Sequence, residues 1–149
     1  MIGVAAMNQP LQTNPTKTKP FDNQTITTWL AEEGFNTSNE QEEGIVVITD
    51  SGIKLVIQID VKRNFIKYYC IFSFKPNQDE VQKLRLVNEL NAKVVFSRFS
   101  MPKPEILVSD YFVFNKARLR KKNLIQSLRF FETVTLNAIR QHGKNDLVQ

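Results

Sequence analysis

Apolar positions along the chain switch between a period near 3.6 and a period of two, and each switch marks an element. In "DNQTITTWLAEEGF" the residues Ile26, Trp29 and Leu30 share one helical face. Asp22 and Asn23 are capping residues at its start, and Gly34 stands just past its end, where a left-handed backbone is cheap for glycine. A Schellman arrangement there folds Phe35 back onto Leu30. "NTSNEQEE" (Asn36 to Glu43) has no apolar period and reads as a polar, acidic loop. Two β-branched runs follow, Ile45 to Thr49 and Lys54 to Asp60, around Asp50-Ser51-Gly52. A short glycine-containing loop between such runs predicts a hairpin. In the second run Leu55, Ile57 and Ile59 alternate with Lys54, Gln58 and Asp60, and only Val56 breaks the pattern. "FIKYYCIFSF" (Phe65 to Phe74) is apolar on both faces, which predicts a central strand or one with a helix on each side.

Beyond Pro76 the period returns to 3.6. Asn77 can cap a second helix, with Glu80 completing a capping box. Leu84, Val87 and Asn91 fall on one stripe of it, with Asn88 at the edge, opposite Gln82, Arg85, Glu89 and Lys93. "VVFSRFSM" and "EILVSDYFVF" then predict a fourth and a fifth strand, with Pro102 and Pro104 marking a turn or a sheet edge. The last helix places Leu124, Leu128, Phe131, Thr135 and Ala138 on its core side, widened by Ile125, Leu136 and Ile139. The expected order is α-β-β-β-α-β-β-α. Blocks of strands point to an α+β fold, an antiparallel five-stranded sheet with helices packed on it. Residues 1–20, rich in Thr, Pro, Asn and Gln, read as a disordered tail. Residues 21–142 read as a single α+β domain, and 143–149 as a frayed end.

Composition changes this picture in one place. The chain has 149 residues, 42% hydrophobic with eleven Phe, enough for a core. No apolar run approaches the roughly 18–20 residues of a membrane span. "MIGVAAMNQP" lacks the basic start of a secretory signal. A single cysteine, Cys70, forms no internal disulfide and fits a cytoplasmic protein. The net charge is +5, and the run "KARLRKK" (Lys116 to Lys122) alone carries five basic residues and no acidic one. Lys116, Arg118, Arg120, Lys121 and Lys122 are therefore the candidate partner-binding residues, for phosphates or an acidic surface. Solvation of a loop is the competing explanation. Cations before a helix N-terminus also oppose its dipole.

Catalytic and metal chemistry find little material. His142 follows the last helix in a stretch expected to fray. Cys70, between Tyr69 and Ile71 in a strand, reads as a small buried hydrophobe. One Cys and one His cannot make a four-ligand zinc site, and the five glycines form no phosphate loop. Glu40, Glu42 and Glu43 cluster without calcium-loop spacing and read as solvated. Asp110 in an apolar strand is the odd one, facing solvent at an edge or sitting at a bulge. No catalytic residue, cofactor or metal is assigned.

The segments "WLAEEGF" (Trp29 to Phe35), the hairpin Ile45 to Asp60, and above all "LVNELNAKVVFSRFSM" (Leu86 to Met101) carry a resemblance. In the last, an Asn-x-x-Asn helix end enters a strand, and an amphipathic helix from Leu124 to Arg140 completes the pattern. Over about Ile26 to Arg140 the chain resembles the YbjN family, of the type III secretion chaperone-like fold, and small cyanobacterial proteins of uncharacterised function. That resemblance implies an antiparallel sheet with helices on it, often a dimer, and no established catalytic residues. It also implies a regulatory role in stress and motility responses, or binding of unfolded polypeptide segments. "KARLRKK" is more basic than the resemblance implies at that turn.

The reading that joins these observations is a non-enzymatic, chaperone-like binding or regulatory module for another polypeptide, working as a homodimer. Its motive is apolar surface without catalytic groups: Phe72, Phe74, Phe96, Phe99, Tyr111, Phe112 and Phe114 are spread over several strands. Nucleic-acid binding through the basic run is the alternative, and a small enzyme using Cys70 or His142 the third. Asn88, Asn91 and Gly34 are expected to serve the architecture. A buried amide without partners costs about 1–3 kcal/mol, so Asn91 should have visible ones.

Overall fold

The computed structural model describes residues 22–40, 44–114, 119–142 and 148. The expected tail 1–20, Glu42, Glu43, Lys116 and Arg118 lie outside them. Among the described residues three helices, α1 (Asn23–Glu32), α2 (Glu80–Lys93) and α3 (Lys121–His142), accompany six strands. The strands are β1 (Asn36–Glu40), β2 (Gly44–Ile48), β3 (Lys54–Asp60), β4 (Phe65–Ser73), β5 (Arg98–Lys103) and β6 (Ile106–Phe114). They form one antiparallel sheet in the order β1-β2-β3-β4-β6-β5.

The α+β class holds, but the sheet has six strands and not five. The added one is β1, in the segment expected to be a loop. Asn36↔Ile48 through Glu40↔Gly44 pair along its whole length. Its pairing comes from β2, an apolar strand whose backbone N–H and carbonyl groups would otherwise form an open edge, and a polar outer strand blunts that edge. Gly44 opens β2 at φ 97, with no room for a Cβ against the carbonyl of Ile57.

The helix boundaries show which local signals win. The Asp22 carboxylate accepts from the Thr25 N–H at 2.8 Å at the start of α1. At its end Gly34 has φ 80, its N–H donates to the Ala31 carbonyl, and the Phe35 N–H donates to that of Leu30, both at 3.0 Å. The start of α2 differs from expectation. Asn77 lies at φ 62 after Pro76, a left-handed turn residue, and Asp79 occupies the N-cap position. The buried stripe of α2 is Lys83, Leu86, Val87 and Leu90, while Leu84 is exposed. β5 begins at Arg98, four residues later than "VVFSRFSM" suggested. Val94 to Ser97 instead carry the chain from the helix layer down to the sheet.

All three helices pack on one face of the sheet. One cluster joins Ile26 and Leu30 of α1, Leu124, Ile125, Leu128 and Phe131 of α3, and Ile45, Val47, Leu55, Ile57, Ile66, Tyr68 and Cys70 of the sheet. A second joins Leu86, Val87 and Leu90 of α2 with Phe74, Phe99, Leu107 and Ala138. Val148 packs against this cluster and bridges Phe74. The α3 face is the one expected: Leu124, Leu128, Phe131, Thr135 and Ala138 are buried. Thr135 is fully buried because its hydroxyl bonds Ser109 at 3.0 Å and Ser97 at 3.4 Å. β4 is central as expected, and among the described residues it has helices on one side only.

Candidate functional site

Two adjacent cross-strand rows show how the sheet divides. Val47, Leu55, Cys70, Ser109 and Phe99 are register partners in turn, and every one is buried beneath the helices. The next row is Val46, Val56, Tyr69, Asp110 and Arg98, and it points to the helix-free face. With a period of two, Phe65, Lys67, Ile71, Ile106, Val108, Phe112 and Phe114 share that second face. An antiparallel sheet covered on one side ordinarily alternates to polar on the other. Here the second face stays aliphatic and aromatic: Ile71 is 55% exposed and Phe114 72%.

A charge cluster stands in the middle of this apolar face. Asp110 is only 3% exposed. Arg98 holds it with a two-pronged bond, Nε to Oδ1 at 2.9 Å and Nη2 to Oδ2 at 2.7 Å. Lys67 Nζ stands 3.8 Å from the same carboxylate. The hydrogen bond from Arg98 to Asp110, with their mutual attraction, raises the guanidinium pKa above its ordinary value. Phe112 underlies both cations, 5.8 Å from Lys67 Nζ and 5.4 Å from the Arg98 guanidinium, and meets Phe65 edge-on at 5.3 Å. Asp110 is therefore neither at an edge nor at a bulge. It lies one strand in from the edge and is desolvated by its partners. Arg98 and Lys67 were not singled out from sequence. The available signal was one opposite charge in each of two apolar strands, "FIKYYC" and "ILVSDYFVF".

The sequence-derived candidates are not brought together. Cys70 is buried on the helix side, and burial pushes its thiol up to about 12 from an ordinary 9.0. That removes the thiolate a nucleophile needs. His142 does not hang beyond the last helix. It ends α3, and its Nδ1 lies 3.5 Å from Glu89 of α2. Of the basic run, Lys121 bonds Glu32 at 2.8 Å and Glu33 at 2.9 Å, tying the start of α3 to the end of α1. Arg120 and Lys122 are exposed. Glu40 belongs to β1. Among the described residues no group of three or more His, Cys, Asp or Glu is placed to hold a metal ion, and no helix is long and apolar enough to cross a membrane.

Asn91 serves as a clamp on β5. Its Nδ2 donates to the Phe99 carbonyl at 2.9 Å, and its Oδ1 accepts from the Phe99 N–H at 2.8 Å. The carboxamide thus pairs with the outer edge of β5 as a neighbouring strand would. It does not end α2 in a left-handed conformation, since the helix runs on to Lys93 and its φ is not positive. Asn88 is exposed on the helix surface.

Residues 22–141 match the model of the YbjN family, described as "Putative bacterial sensory transduction regulator". No curated protein sequence matches the chain. Among solved structures it is similar to YbjN of E. coli, described as a putative transcription regulator. The identity is 15% and the TM-score 0.68, over 86% of this chain and 96% of that one. It is also similar to an uncharacterized protein of Methanothermobacter thermautotrophicus, with 18% identity and TM-score 0.60, over 83% of this chain and 98% of that one. At such identities the structures speak for the fold, and the family model spans most of the chain: this protein belongs to the YbjN family.

Proposed function

We propose that this protein is a non-enzymatic regulatory module that acts by binding other polypeptides, in the cytoplasm and as a homodimer. The observation that carries the reading is the helix-free sheet face. Ile71, Val108, Phe65, Phe112 and Phe114 hold apolar surface there, on the side where a one-sided antiparallel sheet normally meets water. The family's description as a regulator supports the regulatory part, and the lone thiol fits a reducing compartment. The inert Cys70 and the peripheral His142 leave the enzyme reading without a nucleophile or a base in a cleft.

Sedimentation equilibrium on the wild type and on an Ile71→Glu, Val108→Glu variant tests the dimer. The expected outcome is a wild-type dimer and a folded monomeric variant. A wild type that stays monomeric at high concentration rejects it. The competing nucleic-acid reading predicts duplex binding that weakens steeply with salt and is lost when Arg120 and Lys122 are neutralised together.

A further inference from the structure

The sheet contains a notch. β6 pairs with β4 along its whole length, from Phe65↔Phe114 to Ser73↔Ile106. β5 covers the other side of β6 only from Ile106 to Asp110, because its first residue, Arg98, sits opposite Asp110. Tyr111 to Phe114 therefore have a strand on one side and, among the described residues, none on the other.

The direction of the backbone groups follows from the ladder. Phe99 turns its N–H and carbonyl outward to Asn91. Arg98 and Ser100 must then turn theirs toward β6, and their partners Asp110 and Val108 toward β5. Every second residue does the same, so Phe112 and Phe114 aim their N–H and carbonyl groups into the notch. Both walls are apolar. Phe114 and Phe112 stand on the helix-free side. On the helix side Phe96, 50% exposed, meets Phe130 edge-on at 4.9 Å. Such an edge accepts an extended chain as an added strand.

Charge selects the chain. Arg98, at the inner end of the notch, is exposed along most of its side chain, and Lys67 lies behind it. Two cations face one carboxylate, Asp110. Another carboxylate on this face, Asp60, is occupied by the Arg63 side chain and backbone N–H. We propose that the uncovered edge of β6 at Phe112–Phe114 takes an extended apolar segment of a partner polypeptide as an added strand, with an acidic side chain of that segment beside Arg98. A second copy fits less well. Its edge residues Tyr111 to Phe114 carry no acidic side chain to set beside Arg98.

This inference rests on the polypeptide-binding reading but uses the backbone edge of β6, away from the Ile71 and Val108 positions that test the dimer. The test uses the full chain, isotope-labelled, and the capped peptide acetyl-Thr-Phe-Val-Asp-Val-amide. Hydrogen exchange read by NMR should show fast Phe112 and Phe114 amides in the protein alone, slowed at least about tenfold by the peptide. The peptide with Lys for Asp should bind about tenfold more weakly, and Phe114→Pro should abolish binding that Phe114→Ala only reduces. Proline there removes the notch donor while leaving the β4 side of the ladder intact. The Ile71→Glu, Val108→Glu variant should still bind, so failure of the dimer does not touch this result. Protection of the Phe112 amide without peptide overturns the proposal, as does protection that grows with protein concentration. Equal binding of the Asp and Lys peptides, or binding unchanged in Phe114→Pro, also overturns it.

Discussion

The two faces of the sheet are built from the same strands by different rules. On the helix side, the row through Leu55, Cys70 and Ser109 is held by burial. Polar side chains on this side find partners inside the core, Ser109 on Thr135 and Tyr68 on Ser127 at 3.0 Å. On the other side, the row through Tyr69, Asp110 and Arg98 has no helix above it. There a carboxylate is shielded by its own salt-bridge partners and by the aromatic ring beneath them. The second face is itself buried at Val46 and Val56, and its apolar surface still open to another chain lies at Ile71 and Phe114.

The largest break in this comparison comes from the packed face. Phe131 is buried against Tyr68 and Tyr111, at ring distances of 6.1 and 6.3 Å. Phe131→Ala should cost about 3–5 kcal/mol in urea unfolding. Ile71→Ala on the open face should stay within about 0.5 kcal/mol. Equal costs would mean that the open face is packed against something in the isolated chain.

Next is the ion pair. Arg98→Ala leaves Asp110 desolvated with only Lys67 nearby. Removing one partner of a fully buried pair costs about 3–5 kcal/mol, and the exposure of Arg98 lowers the expectation to about 2. Asp110→Asn should cost less, since the guanidinium it releases reaches water. Denaturant midpoints of the two variants decide the order, and the reverse order would refute the desolvation account.

How far the sequence announces these features depends on how many residues repeat the signal. The 22 residues of α3 repeat a 3.6 period through six turns, and its buried face is legible at every position. β1 carries no such signal. "NTSNE" is polar on both faces, and its strand state is set by β2 beside it, a tertiary cause that local propensity cannot contain. Val94-Val95-Phe96 carry the opposite error. They are β-branched and aromatic, yet Val95 is 91% exposed. The hydroxyl of Ser97 is held by Thr135, so the chain is still descending from the helix layer at that point. For the open face, the apolar character of both sides of β4 was readable, but not which side the helices would take. Asp110 was visible as an anomaly, while its partner Arg98 is 12 residues away in a strand whose register only the structure supplies.

The packed face also has a pH signature. Burial raises Tyr68 from 10.0 to about 12 and Cys70 from 9.0 to about 12. Both are neutral in the native state over a range where the unfolded chain ionises. The sign is fixed: stability is fully present below pH 9 and falls as pH rises toward 12. Each group contributes a slope of about 1.4 kcal/mol per pH unit while it titrates only in the unfolded state. Cys70→Ala should move the onset of this loss from near 9 to near 10, read by urea unfolding at stepped pH. No open-face substitution should move it.

A smaller effect on stability than that of Phe131→Ala bears on the edges. β5 and β6 both present backbone to the outside, but Asn91 covers Phe99 with two hydrogen bonds while Phe112 has no such cover among the described residues. Asn91→Ala frees one donor and one acceptor where water can reach them, so the cost should be only about 1–2 kcal/mol. Asn91→Asp keeps the acceptor for the Phe99 N–H but turns a carboxylate toward its carbonyl, and should cost at least as much. The informative readout is association. With the clamp gone, β5 has a bare edge from Arg98 to Ser100, interrupted only by the irregularity before Lys103, and such edges pair with one another. Light scattering should then show slow, concentration-dependent growth in Asn91→Ala and none in the wild type. If the wild type grows as fast, the carboxamide is not what protects this edge. If neither grows, the bulge and Pro102 suffice, and Asn91 acts on stability alone.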